Sequence, residues 1–156
     1  MRPKVYLETT IPSYLTAWAS RDLVKAAHQQ ITREWWQHRA RFDLYISQLV
    51  LREASGGDAE AARLRLEALK GVTVLALSPA ASALAQQLVQ QGPLPGNAVA
   101  DALHIAIAVV NGMDYLLTWN CAHIANAAIR HRIEATCRAS GYEPPVLCTP
   151  EELMEG

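Results

Sequence analysis

Short apolar, β-rich runs alternate with helical patterns along the whole chain, and this alternation narrows the possible folds more than any other feature. The predicted strands are residues 5–7, 42–46, 72–77, 115–118 and 146–148. When short apolar strands alternate with helices, the usual result is a mostly parallel sheet covered on both faces. We therefore predict an α/β fold, a three-layer α/β/α sandwich around a central, mostly parallel sheet of four to five strands.

Helical spacing and capping residues mark the segments between the strands. The predicted helices cover residues 22–41, 49–54, 58–69, 79–91 and 97–111, and a later helix ends near Arg138. Asp58, Ser78 and Asn97 stand where N-caps are expected, and Pro79 suits a first helical position. With 156 residues, the chain has the length of one ordinary domain, and we predict a single domain over residues 1–156.

Composition excludes several classes of protein. The net charge of −1 argues against a polybasic coat on nucleic acid or membrane, and 51% hydrophobic residues exclude disorder. Three widely spaced cysteines, none of them in a CxxC pair, argue against a disulfide framework or a zinc knuckle. No signal-peptide pattern is expected at residues 1–8, and the apolar stretch 98–117 contains two aspartates. We expect a cytoplasmic protein that does not enter a membrane.

The charges are unevenly distributed. Between residues 71 and 129 there is no lysine or arginine, and the only acids are Asp101 and Asp114. Asp114 follows Gly112 in a turn, where a solvated carboxylate is ordinary. Asp101 instead opens a segment apolar enough to be a core helix. A partly buried carboxylate there needs a partner from elsewhere in the fold, or a metal ion.

Four side chains with oxygen atoms are expected near the carboxyl ends of strands, where the active crevice of such sheets lies. Glu8 closes the first strand, Glu53 lies on the short helix after the second, Asp101 lies early in the helix before the fourth, and Asn120 follows the fourth. Three converging carboxylates would repel one another without a cation. Oxygen ligands favour Mg²⁺ or Mn²⁺, which can activate water against a phosphodiester.

The segments around these four residues resemble the successive acidic motifs of the PIN domain, and they are most similar to VapC-type toxins of type II toxin–antitoxin systems. They read VYLETTIPSYL around Glu8, LVLRE ending at Glu53, DALHIA from Asp101 and YLLTWNCAH around Asn120. The order and distances span nearly the whole chain. Each motif alone is weak, whereas four in order are fairly specific.

The resemblance implies a Mg²⁺- or Mn²⁺-dependent endoribonuclease that acts as a homodimeric toxin and is blocked by a cognate antitoxin. Glu8, Glu53, Asp101 and Asn120 would then be its catalytic and metal-binding residues. Two positions depart from the family pattern, because Glu8 stands where aspartate is usual and Asn120 is neutral. A catalytically weak or inactive PIN-like protein that binds RNA or a protein partner is therefore an alternative, and an unrelated α/β binding domain is another.

Several neighbouring residues have an ordinary structural interpretation beside the functional one. His104 lies one helical turn from Asp101, and a hydrogen-bonded core histidine is favoured over a ligand or a general base; His123 is similar. Thr9 and Thr118 could orient the carboxylates or simply end strands. Trp119 is expected to pack in the protein rather than stack on a nucleotide.

Overall fold

The computed structural model describes residues 1–154, and in it five parallel strands form one sheet. The strands are β1 (Lys4–Leu7), β2 (Asp43–Ser47), β3 (Thr73–Leu75), β4 (Tyr115–Leu117) and β5 (Val146–Cys148). The helices are α1 (Thr10–Thr16), α2 (Leu23–Gln37), α3 (Gln48–Ala54), α4 (Ala59–Ala68), α5 (Pro79–Gln90), α6 (Val99–Val110) and α7 (Arg130–Ala139), with a 3₁₀ turn at Arg39–Arg41. The predicted three-layer α/β/α sandwich is confirmed, and the predicted domain extends two residues beyond the described part.

The strand order is β3-β2-β1-β4-β5, so the first strand lies in the middle of the sheet. Tyr6 is in register with Tyr45 of β2 on one side and with Leu116 of β4 on the other. The chain builds one half of the sheet with β2 and β3, then crosses to the other side of β1 for β4 and β5. Strand order therefore reverses at β1, and ligands of open α/β sheets bind at the carboxyl end of such a position.

Two of the three predicted side-chain caps are found. The Asp58 carboxylate accepts a hydrogen bond from Ala61 N at 2.9 Å, and the Ser78 hydroxyl accepts one from Ala81 N at 3.2 Å. The predicted cap at Asn97 is wrong. Ala98 N donates a hydrogen bond to Pro95 O in a turn, so α6 begins one residue later than predicted. The N-cap position is therefore occupied by Ala98, which is buried and has no side-chain acceptor.

The core lies between the sheet and the helices that cover it. Tyr6, Leu7, Leu116 and Leu117 of the two central strands are fully buried. Helix α6 buries seven of its twelve residues and packs on α5, which agrees with the apolar character of this segment. Within residues 1–154 no helix combines the length and the apolar character that a membrane crossing requires.

Candidate metal centre

Glu8 follows β1 at the reversal of strand order, and three donors hold one of its carboxylate oxygens. Glu8 Oε1 accepts hydrogen bonds from Thr10 N at 3.1 Å, from the Thr10 hydroxyl, and from Thr118 Oγ1 at 2.7 Å. Thr10 begins α1, and Thr118 follows β4. The side chain is only 5% exposed, so these donors replace most of the water that the carboxylate has lost.

Glu53 reaches the same edge from α3, which begins directly where β2 ends. Its Oε1 accepts hydrogen bonds from the Thr9 hydroxyl and from His104 Nε2 at 2.7 Å. Burial by itself would raise the pKa of Glu53, but the hydrogen bonds from His104 and Thr9 outweigh it and hold the pKa below its ordinary value. Glu53 is therefore an ionised carboxylate at neutral pH, with its side chain one-third exposed.

Glu8, Glu53 and His104 each place a possible ligand atom within 4.8 Å of the other two. Among residues 1–154 this is the only group of three or more histidine, cysteine or acidic side chains with that geometry. In both glutamates the protein donors converge on Oε1, and no donor from the described part of the chain reaches Oε2. Each carboxylate thus has one oxygen fixed by the protein and one available to a ligand.

Asp101, on the first turns of α6, has partners other than the two glutamates. Its Oδ1 accepts a hydrogen bond from Asn120 Nδ2 at 2.9 Å, and its Oδ2 lies 2.9 Å from His123 Nδ1. Because a carboxylate only accepts, His123 Nδ1 carries the proton in this contact. Asn120 Oδ1 in turn accepts from His123 N at 3.0 Å, which fixes the orientation of the amide.

Thr118 joins the two pairs of residues. Its hydroxyl donates to Glu8 Oε1 and accepts a hydrogen bond from Asn120 N at 2.9 Å. Glu8 and Glu53 therefore lie together with His104, whereas Asp101 and Asn120 form an adjoining pair with His123. Asp101 is outside the three-residue group, and the two pairs share an edge of the sheet through Thr118.

Among residues 1–154 no ion pair joins an arginine to these acids. Within residues 1–154 the arginine ion pairs involve Asp43, Glu60, Glu134, Glu143 and Glu152. The carboxylates of Glu8, Glu53 and Asp101 are thus supported by hydroxyl, amide and imidazole donors. A site of this kind retains its negative charge for a cation.

Some residues that build the site were missed in the sequence. Thr10 donates to Glu8, and its hydroxyl also accepts from Trp119 N at 2.8 Å. Tyr6 and Ser47 lie behind the site, where the Tyr6 hydroxyl contacts both Ser47 Oγ at 2.7 Å and His104 Nδ1 at 2.8 Å. Their only signal in the sequence is a polar group in an apolar strand, which is common.

Two neighbouring side chains are buried and hydrogen-bonded, as the sequence predicts. His104 is 1% exposed with both ring nitrogens in hydrogen bonds, as expected for a core histidine. Trp119 is 8% exposed, donates Nε1 to Thr32 Oγ1 at 2.7 Å and stacks on His28 with ring centroids 3.9 Å apart. The indole is therefore packed within the protein, as predicted, and its ring face against His28 is not available to stack on a nucleotide.

Comparison with known proteins gives a match in structure and none in sequence. No protein-family model matches the chain, and no curated protein matches its sequence. VapBC2 from Rickettsia felis, solved with a DNA fragment from its promoter, superimposes with a TM-score of 0.60 and 18% identity over 94% of this chain and 98% of that one. VapC20 from Mycobacterium tuberculosis, described as a sarcin–ricin loop cleaving toxin, superimposes with a TM-score of 0.56 and 14% identity over 88% and 95%. The fold is therefore that of VapC toxin structures.

Proposed function

We propose that this protein is a metal-dependent endoribonuclease, the toxin of a type II toxin–antitoxin system. The observation that carries the proposal is the pair Glu8 and Glu53, each with Oε1 held by the protein and Oε2 open, at the reversal of strand order. The VapC-like fold supports the same function, since one of the similar structures is an RNA-cleaving toxin.

The residues present suit a hard divalent cation. Carboxylate and amide oxygens are the ligands that Mg²⁺ and Mn²⁺ prefer, and no lysine or arginine forms an ion pair with the carboxylates of the site within residues 1–154, where the ion-pair partners of Glu53 and Asp101 are histidines. Glu8 and Glu53 would bind the ion through their open oxygens, and Asp101 and Asn120 would complete the site from the adjoining pair. We propose either Mg²⁺ or Mn²⁺ as the ion.

When bound, such an ion supplies an activated water and stabilises negative charge on the phosphodiester. The protein contributes positioning. Thr118 and Thr10 fix the carboxylate of Glu8, while His104 and Thr9 fix that of Glu53, so neither has to reorganise when a ligand arrives. The amide of Asn120 holds Asp101 through Oδ1 and leaves further lone pairs on the aspartate for a ligand.

The proposal also covers partners and location. We propose a homodimer in the cytoplasm with a cognate antitoxin that covers the acidic edge, and a single domain over residues 1–156. One similar structure is a VapBC assembly, which supports a protein partner. The RNA substrate is identified only by class, as a phosphodiester presented to the carboxyl edge of β1 and β4.

The alternative is a PIN-like protein that binds RNA or a protein partner without cleaving RNA. It is favoured by the neutral Asn120 and by the exclusion of Asp101 from the three-residue group around Glu8. Both features lower the negative charge that one bound ion would meet. A cleavage experiment separates this alternative from the toxin.

The experiment incubates purified protein with a sarcin–ricin loop RNA, a structured tRNA and an unstructured RNA, with Mn²⁺, Mg²⁺ or EDTA. Asp101→Ala and Glu8→Gln remove proposed ligands, and Glu143→Gln removes an exposed carboxylate outside the site, with a side chain 79% exposed. We expect metal-dependent cleavage by the wild type and by Glu143→Gln, and a loss of at least about tenfold in the other two. Cleavage in EDTA, or full activity of Asp101→Ala, would contradict the mechanism.

A further inference from the structure

A chain of hydrogen-bonded polar side chains, three of them buried, leads from the middle of the sheet to Glu53. Ser47 Oγ lies 2.7 Å from the Tyr6 hydroxyl, which lies 2.8 Å from His104 Nδ1, and His104 Nε2 lies 2.7 Å from Glu53 Oε1. Ser47 and Tyr6 are fully buried, and His104 is 1% exposed. Only the last member, Glu53, reaches solvent.

The protons of this chain can be assigned from its hydrogen bonds. The Tyr6 hydroxyl has one proton to donate and contacts two possible acceptors. Tyr6 donates that proton either to His104 Nδ1 or to Ser47 Oγ, which also accepts from Val50 N at 3.2 Å. In both arrangements His104 Nε2 faces a carboxylate oxygen at 2.7 Å, and a carboxylate only accepts. Nε2 therefore carries a hydrogen directed at Glu53.

This assignment decides what His104 can do. A nitrogen that donates its hydrogen to Glu53 has no lone pair for a metal ion, even though His104 has a ring nitrogen within 4.8 Å of a carboxylate oxygen of each glutamate. The donated hydrogen instead occupies Glu53 Oε1 together with the Thr9 hydroxyl. The imidazole turns the carboxylate so that Oε2 remains open.

We propose that His104 is a positioning residue that orients the Glu53 carboxylate for the metal ion without binding the ion itself, and that Tyr6 and Ser47 fix its ring. The inference rests on the proposed function, because it assigns a role within the same metal site. Hydrogen-bond partners of metal ligands commonly contribute tenfold to 100-fold in affinity.

Two substitutions separate the contacts of the two ring nitrogens. The amide of His104→Gln can place a donor where Nε2 lies and so keep the bond to Glu53, whereas that of His104→Asn reaches only the position of Nδ1 and keeps the contact with Tyr6. Both remove a buried ring, so melting in EDTA measures the structural cost shared by the two variants. Mn²⁺ affinity is then measured by electron paramagnetic resonance without RNA. We expect His104→Asn to raise the dissociation constant by about 10- to 100-fold and His104→Gln to stay close to the wild type.

Equal weakening by both variants would overturn the positioning role, as would unchanged affinity in both. A second measurement needs no variant. Electron spin-echo envelope modulation on Mn²⁺ bound to the wild-type protein detects a directly coordinated nitrogen, and we expect none. A coordinated nitrogen would overturn the inference and make His104 a ligand. If Mn²⁺ binding follows the expectation but no RNA is cleaved, the proposed function fails while the role of His104 stands. If the wild-type protein cleaves RNA but the two variants bind Mn²⁺ with equal affinity, the proposed function stands and the role of His104 fails.

Discussion

Thr118 Oγ1 donates a hydrogen bond of 2.7 Å to Glu8 Oε1 and so connects the end of β4 to the end of β1. The two residues are 110 positions apart in the chain, and Thr118 is fully buried. The same hydroxyl accepts from Asn120 N, which places the Asp101–Asn120 pair beside the glutamates. One buried hydroxyl thus fixes the spacing between the two halves of the candidate site.

Replacing Thr118 by valine keeps the volume and removes the hydroxyl. Glu8 loses one of its three donors, and the backbone N–H of Asn120 loses its acceptor. We expect the free energy of unfolding to fall by about 1–3 kcal/mol, measured by urea denaturation in EDTA, and Mn²⁺ affinity to fall as well. Thr118→Ser retains the hydroxyl and is the control. A valine variant with the metal affinity of the serine variant would show that Thr118 contributes only to folding.

Replacing Asn120 by aspartate tests the pairing with Asp101. The substitution exchanges the Nδ2 donor, 2.9 Å from Asp101 Oδ1, for a carboxylate oxygen, so two acceptors meet. We expect the metal-free melting temperature at pH 7 to fall, and added Mn²⁺ to raise it by more than in the wild type, because the cation relieves the repulsion. Asn126→Asp is the control, because it adds the same charge at a half-buried position outside the candidate site and likewise removes a side-chain donor, here to Ala122 O. An equal response to Mn²⁺ in Asn120→Asp and the wild type would place Asp101 and Asn120 outside the metal site.

Gly92 lies two residues after the end of α5, where its backbone comes close to that of Leu88 in the last turns of the helix. A Cβ at this position would lie 2.7 Å from the carbonyl oxygen of Leu88, a distance that forces the backbone to move. We expect Gly92→Ala to lower the free energy of unfolding by about 1–3 kcal/mol, as overpacking does. Gly96, in the same loop, has no heavy atom within 4 Å of such a Cβ and no positive φ, so Gly96→Ala serves as the matched control. Equal stability of the two variants in denaturant titrations would contradict the close approach.

The three cysteines should differ in reactivity. Burial raises the pKa of the Cys137 thiol to about 11 and that of Cys148 to about 12, and both thiols are buried. Partial burial also raises the pKa of Cys121, but this residue is exposed to the reagent. Since the thiolate is the reactive form, a higher pKa leaves less of it at pH 8. We expect a disulfide reagent such as DTNB to titrate one thiol rapidly in the native protein at pH 8 and all three in guanidinium. Loss of the rapid phase in Cys121→Ser would confirm the assignment, and its persistence would refute it.

Local patterns predicted the elements of the fold well. The alternation of strand and helix, together with caps such as Asp58 and Ser78, depends on neighbouring residues and is visible in the sequence. The same patterns placed Glu8 and Glu53 at one edge of the sheet. Asn97 failed as a cap because the turn from Pro95 extends to Ala98. The Pro95-Gly96 pair signals a turn in the sequence, but it does not show at which residue the turn gives way to the helix.

The grouping of the site residues could not be predicted in this way. Which side chains meet depends on strand order and on the angle at which α3 and α6 approach the sheet, and neither is encoded locally. Tyr6 and Ser47 look like ordinary strand residues until β1 and β2 lie side by side. For the same reason His104, chosen as a core residue, proved to contact Glu53, while Asp101 contacts Asn120 and His123.

The central place of β1 has a consequence for when this protein could act. Both neighbours of the first strand are synthesised after it, and the hydroxyl that holds Glu8 belongs to residue 118 of 156. A nascent chain therefore carries Glu8 long before Thr118, the partner that fixes its carboxylate, has been synthesised. A product released early from the ribosome would contain Glu8, Glu53 and even Asp101 without an assembled centre. For a protein proposed to cleave RNA, the sheet order itself postpones assembly of the centre until β4 and Thr118 have been made.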